Sequence, residues 1–152
     1  MKILVCTDGS NYSQRALEKA AIIAEGCNVD EVAIIHVIDE KMNLTALPWG
    51  DDYRPPERAR ENQRLLLEEN KKEANRILQE AQQFLEEKHI NTRTILKEGH
   101  PADTIVQVGC DEEFDIIVIG SRGRSGLEKI FPGSVSSAVI QEAKNCSVLT
   151  VK

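Results

Sequence analysis

Short apolar runs alternate with amphipathic segments along the chain, and this alternation limits the fold more than any other feature. The apolar runs predict strands at residues 2–6, 32–38, 91–96, 114–119 and 146–151. Apolar residues at helical spacing predict helices between them, at residues 11–26, 57–89, 101–110 and 133–144. We therefore expect an α/β fold, an open doubly wound and mostly parallel five-stranded sheet with helices on both faces.

The predicted strand order is 3-2-1-4-5, which places the first strand at the centre of the sheet. Residues 2–6 form a nearly continuous apolar run, as expected for a strand that is covered on both faces. Ligands of doubly wound sheets bind beyond the carboxyl ends of the strands, where the winding changes direction. That point lies between strands one and four, so we expect Asp8 and Gly120 to meet there.

The size of the chain, 152 residues, suggests a single domain, 1–152. A net charge of -6 argues against a nucleic-acid platform, whose affinity would come from clustered lysines and arginines. No apolar run is long enough to span a bilayer, and the first predicted strand leaves no room for a signal peptide. The expected location is the cytoplasm, with neither nucleic acid nor membrane as a partner.

The four cysteines lie far apart in the sequence, without a C-x-x-C pair or a histidine at metal-ligand spacing. Coordination of a metal by thiolates is therefore not expected. Cys6 and Cys146 fall in or beside predicted strands, so we interpret both as small buried hydrophobic residues in a reducing compartment.

A glycine-rich stretch follows the fourth predicted strand. Gly120, Gly123 and Gly133-Ser134 are spaced as G-x2-G-x9-G-S, which is neither a Walker motif nor G-x-G-x-x-G. Glycines let the backbone approach a ligand closely, and the N–H groups at a helix start attract anions. The cations of this stretch are Arg122, Arg124 and Lys129. They favour a triphosphate-binding loop, and a solvated loop of mixed charge is the alternative.

This spacing, together with Gly126-Leu127 and Val135-Ser136, resembles the ATP-binding motif of the universal stress protein family. The resemblance covers nearly the whole chain, including residues 3–10, 35–37, 99–101 and 146–151. Two positions depart from the family pattern: Ser147, where proline is common, and Pro132, where an aliphatic residue is usual. The second matters more, because proline removes a donor N–H beside the phosphate turn.

The resemblance implies a bound adenine nucleotide, ATP or AMP, with Mg²⁺ or Mn²⁺ held through the phosphates. It places Thr7 and Asp8 at the base and ribose, and Val37 at the adenine. The residues implied to hold the ribose and phosphates are Gly120, Arg122, Gly123, Gly133, Ser134, Val135 and Ser136. Asp8 alone could simply make a turn. No catalytic residue is identified, and His36 is interpreted as a packed strand residue.

Three functions remain open. The first is a nucleotide-binding regulatory protein of the universal stress protein type, at most a weak ATPase. The second is an ATP-using adenylating or hydrolytic enzyme of related fold, although residues 7–10 do not match the S-G-G-x-D-S loop of such enzymes. The third is a nucleotide-free dimeric interaction module. The intact glycine spacing opposes it, whereas Pro132 keeps it open. The stress signal and the downstream protein partner cannot be read from the sequence.

The last predicted strand indicates a homodimer. In the order 3-2-1-4-5 it lies at an edge of the sheet, and Val148, Leu149 and Val151 are too apolar to guard an open edge. Antiparallel pairing with a second copy across a twofold axis would satisfy the edge of both chains. Trp49 and Tyr53 belong to a long loop after the second strand, and they predict either a lid over the base or a partner contact.

Overall fold

The computed structural model describes residues 1–39, 56–123 and 133–152, and these residues form the predicted architecture. The strands are β1 (Lys2–Cys6), β2 (Glu31–Asp39), β3 (Thr92–Gly99), β4 (Ile116–Gly120) and β5 (Ser147–Val151). The helices are α1 (Asn11–Gly26), α2 (Glu57–Glu86), α3 (Pro101–Asp111) and α4 (Ser134–Glu142). The sheet has the order β3-β2-β1-β4-β5, and each strand pair is parallel. The predicted strand order is confirmed.

Two helices cover each face of the sheet. On one face, Leu17 of α1 and Leu85 of α2 pack in a cluster with Val5. On the other face, Ile105 of α3 and Val139 of α4 belong to a second cluster, which also contains Leu4. Because β1 sends alternate side chains to the two faces, it is buried on both, as its apolar sequence predicts.

Two strand boundaries differ from the prediction. β3 runs past its predicted end, because Lys97 and Glu98 continue the parallel pairing with β2 although both are polar. β4 begins later than predicted, at Ile116, since the N–H of Phe114 donates to the carbonyl of Gly109 at 3.0 Å and closes the end of α3 instead. The other elements begin and end close to the predicted residues.

The first half of α2 packs weakly on the body, as its polar sequence predicts. The first buried residue of this helix is Ala74, more than four turns from its start. Leu65 and Leu66 are 52% and 48% exposed. None of the helices in the described residues combines the length and the apolar character that crossing a membrane requires.

Several sequence interpretations fall outside the described residues. They are the lid or partner contact of Trp49 and Tyr53, the effect of Pro132, and the two loop cations Arg124 and Lys129.

Candidate functional site

A cavity of about 410 Å³ opens at the carboxyl ends of the central strands. It lies where β1 has β2 on one side and β4 on the other, which is the switch point of the winding. All ten residues that the sequence predicts for a nucleotide site line it. They are Thr7, Asp8, Val37, Gly120, Arg122, Gly123, Gly133, Ser134, Val135 and Ser136. Four segments of the chain, separated by up to 129 positions, therefore meet at one place, as the fold prediction requires.

The turn after β1 is held by its own side chains. Thr7 is 9% exposed, and its hydroxyl donates to the hydroxyl of Ser13 and accepts from the N–H of Gly9. The carboxylate of Asp8 accepts from the N–H of Ser10 at 3.0 Å. Gly9 has a φ of 76°, in the left-handed region that glycine adopts without strain. With this turn, α1 begins at Asn11, shortly after Asp8 in the chain, and the Asp8 side chain lies at the cavity.

Two glycines after β4 are required by close contacts. A Cβ on Gly120 would lie 2.8 Å from the carbonyl carbon of Tyr12 and 3.0 Å from the nitrogen of Ser13, so a side chain there would collide with the backbone of α1. A Cβ on Gly123 would lie 2.7 Å from Oδ2 of Asp8. The first glycine lets the starts of α1 and the loop approach each other, and the second leaves room for the Asp8 carboxylate.

The start of α4 is tied to the end of β4. The N–H of Gly133 donates to the carbonyl of Ser121 at 2.7 Å, and the hydroxyl of Ser136 donates to the same carbonyl at 3.1 Å. Ser121 and Ser136 are both buried. Gly133 has a φ of -59°, which any residue adopts, so its backbone conformation does not itself require glycine. No side chain caps α4, and Ser134 and Val135 of its first turn line the cavity.

The opposite wall contains His36, which the sequence suggested only as a packed strand residue, and three residues that the sequence did not single out. Nδ1 of His36 donates to the carbonyl of Thr7 at 2.9 Å, so this histidine links the ends of β1 and β2. Asp39, Asn70 and Glu73 also line the cavity, the last two from α2. The helix spacing of Asn70 and Glu73 places them on one face, but only the docking of α2 on the sheet brings that face to the site.

The cavity is lined by charges of both signs. Arg122 lies at the glycine end, where its Nη1 donates to the hydroxyl of Tyr12 at 3.4 Å. Burial, reinforced by the charge of Asp8, raises the pKa of the Cys6 thiol well above its usual range. Cys6 is therefore a neutral wall residue, as predicted, whereas Cys146 is only partly buried. Within residues 1–39, 56–123 and 133–152, no cluster of three or more histidine, cysteine or acidic side chains is arranged to hold a metal ion.

The fold and the cavity define a doubly wound α/β protein with a ligand-sized crevice at the switch point of its sheet. Comparison with known proteins places it more closely. Residues 1–152 match the model of the universal stress protein family. The universal stress protein YxiE of Bacillus subtilis is 36% identical over 151 residues, which cover 99% of this chain and 98% of that protein. The chain belongs to the universal stress protein family.

Two solved structures agree with this assignment. The structure of protein MJ0577 of Methanocaldococcus jannaschii has a TM-score of 0.83 and 30% identity, and the match covers 99% of this chain and 94% of that one. The universal stress protein of Archaeoglobus fulgidus in complex with dAMP has a TM-score of 0.67 and 26% identity, with 100% of this chain and 98% of that one covered.

Proposed function

We propose that this protein is an adenine-nucleotide-binding regulatory protein. The nucleotide, ATP or AMP, occupies the cavity between the end of β1 and the loop from Gly120 to Ser134. The observation that carries the proposal is the convergence of all ten sequence-predicted residues on one cavity at the switch point. The dAMP complex of the Archaeoglobus fulgidus relative supports an adenine nucleotide as the class of ligand.

The two ends of the cavity suit the two ends of a nucleotide. Val37 and Ile105 contribute apolar surface for a base. Asp8, whose Oδ2 lies beside Gly123, offers its carboxylate to ribose hydroxyl groups from the glycine side. At the other end, the glycines after β4 allow close backbone approach, and Arg122 adds a positive charge. The first N–H groups of α4 have no partner within the helix, so they can donate to phosphate oxygens.

A divalent cation would enter this site mainly through the phosphates. Asp8 is the site residue that fits it best, because carboxylate oxygen is a preferred ligand of Mg²⁺ and Mn²⁺, and its Oδ2 lies beside Gly123. Such a cation would neutralise phosphate charge when bound. Titration of ATP with Mg²⁺ and then with excess EDTA would measure its contribution to the affinity.

The resident ligand can be identified directly. Purified protein is denatured, and the released small molecules are separated by chromatography and weighed by mass spectrometry. The proposal expects an adenine nucleotide in amounts that approach one per chain. Protein that carries no nucleotide and takes up neither ATP nor AMP in calorimetry would contradict the proposal.

Gly133→Val tests the location of the site. A Cβ on Gly133 would lie 3.4 Å from Cα of Arg122 and 3.4 Å from the carbonyl oxygen of Ser121. The branched methyl groups of valine would crowd this segment and the cavity beside it, so we expect ATP affinity to fall at least about tenfold. Calorimetry compares it with Gly26→Ala, a control at a position where a Cβ meets nothing within 4 Å. Equal ATP affinity in Gly133→Val and wild type would place the nucleotide elsewhere.

A further inference from the structure

Tyr12, in the first turn of α1, contacts the glycine loop from outside the sequence motif. Its backbone is held in place, since the contact that excludes a Cβ at Gly120 is with the carbonyl group of Tyr12, at 2.8 Å to the carbon and 2.9 Å to the oxygen. The residue next to it, Ser13, is buried and bonded to the Ser10 cap. The Tyr12 side chain therefore projects from a fixed point beside the end of β4.

The phenol of Tyr12 holds the guanidinium group of Arg122. Nη1 of Arg122 donates to the phenolic oxygen at 3.4 Å, and its Cζ lies 5.7 Å from the ring centroid, within the range of a cation–π contact. Across the described ranges, Arg122 forms no salt bridge with a carboxylate. This contact places a positive charge at the cavity wall beside Gly120 and Gly123.

A second cation stands at the same ring. Cζ of Arg15 also lies 5.7 Å from the centroid of Tyr12, although Arg15 is exposed and does not line the cavity. Arg15 therefore makes the same ring contact as Arg122 without facing the cavity, which makes it a suitable control position. Only the guanidinium group of Arg122 can meet phosphate there, and its benefit would grow with the number of phosphate groups near it.

We infer that Tyr12 is a positioning residue that holds Arg122 against the outer phosphates, and that this pair makes the site prefer a nucleoside triphosphate to a monophosphate. The inference rests on the proposed nucleotide function and adds to it the discrimination by phosphate number. A monophosphate would reach the glycine backbone and α4, whereas the outer phosphates of ATP would extend to the Arg122 guanidinium group, which is directed toward the Tyr12 hydroxyl.

Tyr12→Leu tests this inference, because leucine keeps apolar bulk but removes both the ring and the hydroxyl group. Affinities for ATP and for AMP are measured by calorimetry in one buffer of fixed ionic strength. We expect ATP affinity to fall about tenfold and AMP affinity to change less than about twofold, so that the ATP preference collapses. Tyr12→Phe should retain most of the preference for ATP over AMP, because the ring face remains. Arg15→Ala is the matched control, and we expect it to leave the ratio of the two affinities within about twofold.

Arg122→Ala and the double variant show whether Tyr12 acts through Arg122. Arg122→Ala should lower ATP affinity selectively, and adding Tyr12→Leu to it should cost little more, because the two residues form one unit. Additive losses would overturn the inference, as would equal losses for ATP and AMP in Tyr12→Leu. A wild-type protein that binds ATP and AMP equally would also overturn it while leaving the proposed function intact. A wild-type protein that binds neither nucleotide would refute the proposed function itself.

Discussion

Gly120 shows how a single residue sets the shape of the site. Its missing side chain allows the end of β4 to touch the backbone of α1, so the turn after β1 and the glycine loop face the same cavity. Neither of these backbone segments can move freely, because β4 is a buried strand and α1 begins at a capped N-terminus.

Gly120→Ala should therefore destabilise the protein, by about 1–3 kcal/mol, because the new methyl group would lie against backbone atoms that cannot rotate away. Urea unfolding of this variant and of Gly26→Ala gives the comparison. The control has open space around its Cβ, and we expect it to be as stable as wild type or slightly more so. A Gly120→Ala protein as stable as wild type would mean that α1 does not approach β4 this closely.

Cys6 gives a prediction about pH. Burial raises the pKa of its thiol in the folded chain above the value of about 8.5 that an unfolded cysteine has. The contribution of Cys6 to stability is therefore fully present below about pH 8.5 and is lost as the pH rises, at up to about 1.4 kcal/mol per pH unit. Cys146, whose pKa burial also raises, contributes in the same direction in every variant that keeps it.

Cys6→Ala isolates that contribution. Between about pH 9 and 10.5, its free energy of unfolding should fall less steeply with pH than that of wild type, whatever its absolute stability. Urea titrations at several pH values measure the two slopes. Identical slopes would show that Cys6 ionises as easily in the folded chain as in the unfolded one.

Glycine spacing located one end of the site from the sequence, but it could not reveal the opposite wall. The residues of the glycine motif, from Gly120 to Ser134, lie close together in the sequence, so the motif can be recognised in one short stretch. Tyr12 reaches Arg122 only because the sheet brings residues 110 positions apart side by side. Glu73 is one of many charged residues on α2, and nothing in its local sequence separates it from the exposed ones. In the sequence, His36 stands out only as a polar residue within the apolar run of residues 32–38.

Among the elements, β5 carries the prediction about assembly. It is an edge strand in the described sheet, and Leu149 is 38% exposed on it. The N–H of Ser147 donates to the carbonyl of Asp115 at 2.9 Å, which shows which side of β5 bonds to β4. Because successive residues alternate, Leu149 also directs its N–H toward β4, and Thr150 directs its own toward the open edge. We propose that this edge pairs antiparallel with a second copy of the chain.

Thr150→Pro should weaken that pairing, because proline removes an N–H from the open edge and leaves the ladder to β4 intact. We expect a shift from dimer to monomer in light scattering at micromolar concentration. Thr150→Val, which keeps the N–H, should remain dimeric. Proline at Leu149 would break the ladder inside the sheet, so it cannot test the edge alone. Wild type that is monomeric at high concentration would exclude this assembly.

Element boundaries were less predictable than element types. The apolar pattern locates each strand because burial on two faces demands apolar residues. It cannot locate the end of β3, where pairing with β2 continues through Lys97 and Glu98 because β3 is an edge strand with solvent beside it. The start of β4 depends on a backbone hydrogen bond at the end of α3, which no side-chain pattern records.

For the whole molecule, we predict binding without rapid turnover. Phosphate release from ATP by the isolated protein should be far slower than the typical enzyme rate of about ten per second, because the sequence contains no recognisable motif that supplies a base for activating water. A steady-state assay with Mg²⁺ measures it, and Gly133→Val serves as the blank for contaminating ATPases. Several turnovers per second in wild type alone would make the protein an enzyme. The cytoplasmic location and the single domain also stay predictions.

The pairing of β1 with β4 has a consequence for how the protein is made. The backbone N–H of Lys2 donates to the carboxylate of Asp115. The contacts of β1 therefore cannot be completed until a segment 113 positions later in the chain has been synthesised. The last wall of the cavity comes later still, with α4. A growing chain on the ribosome therefore has no complete cavity until α4 has been synthesised. If the cavity binds a nucleotide as proposed, occupancy would mark a chain that has been synthesised and folded at least through α4.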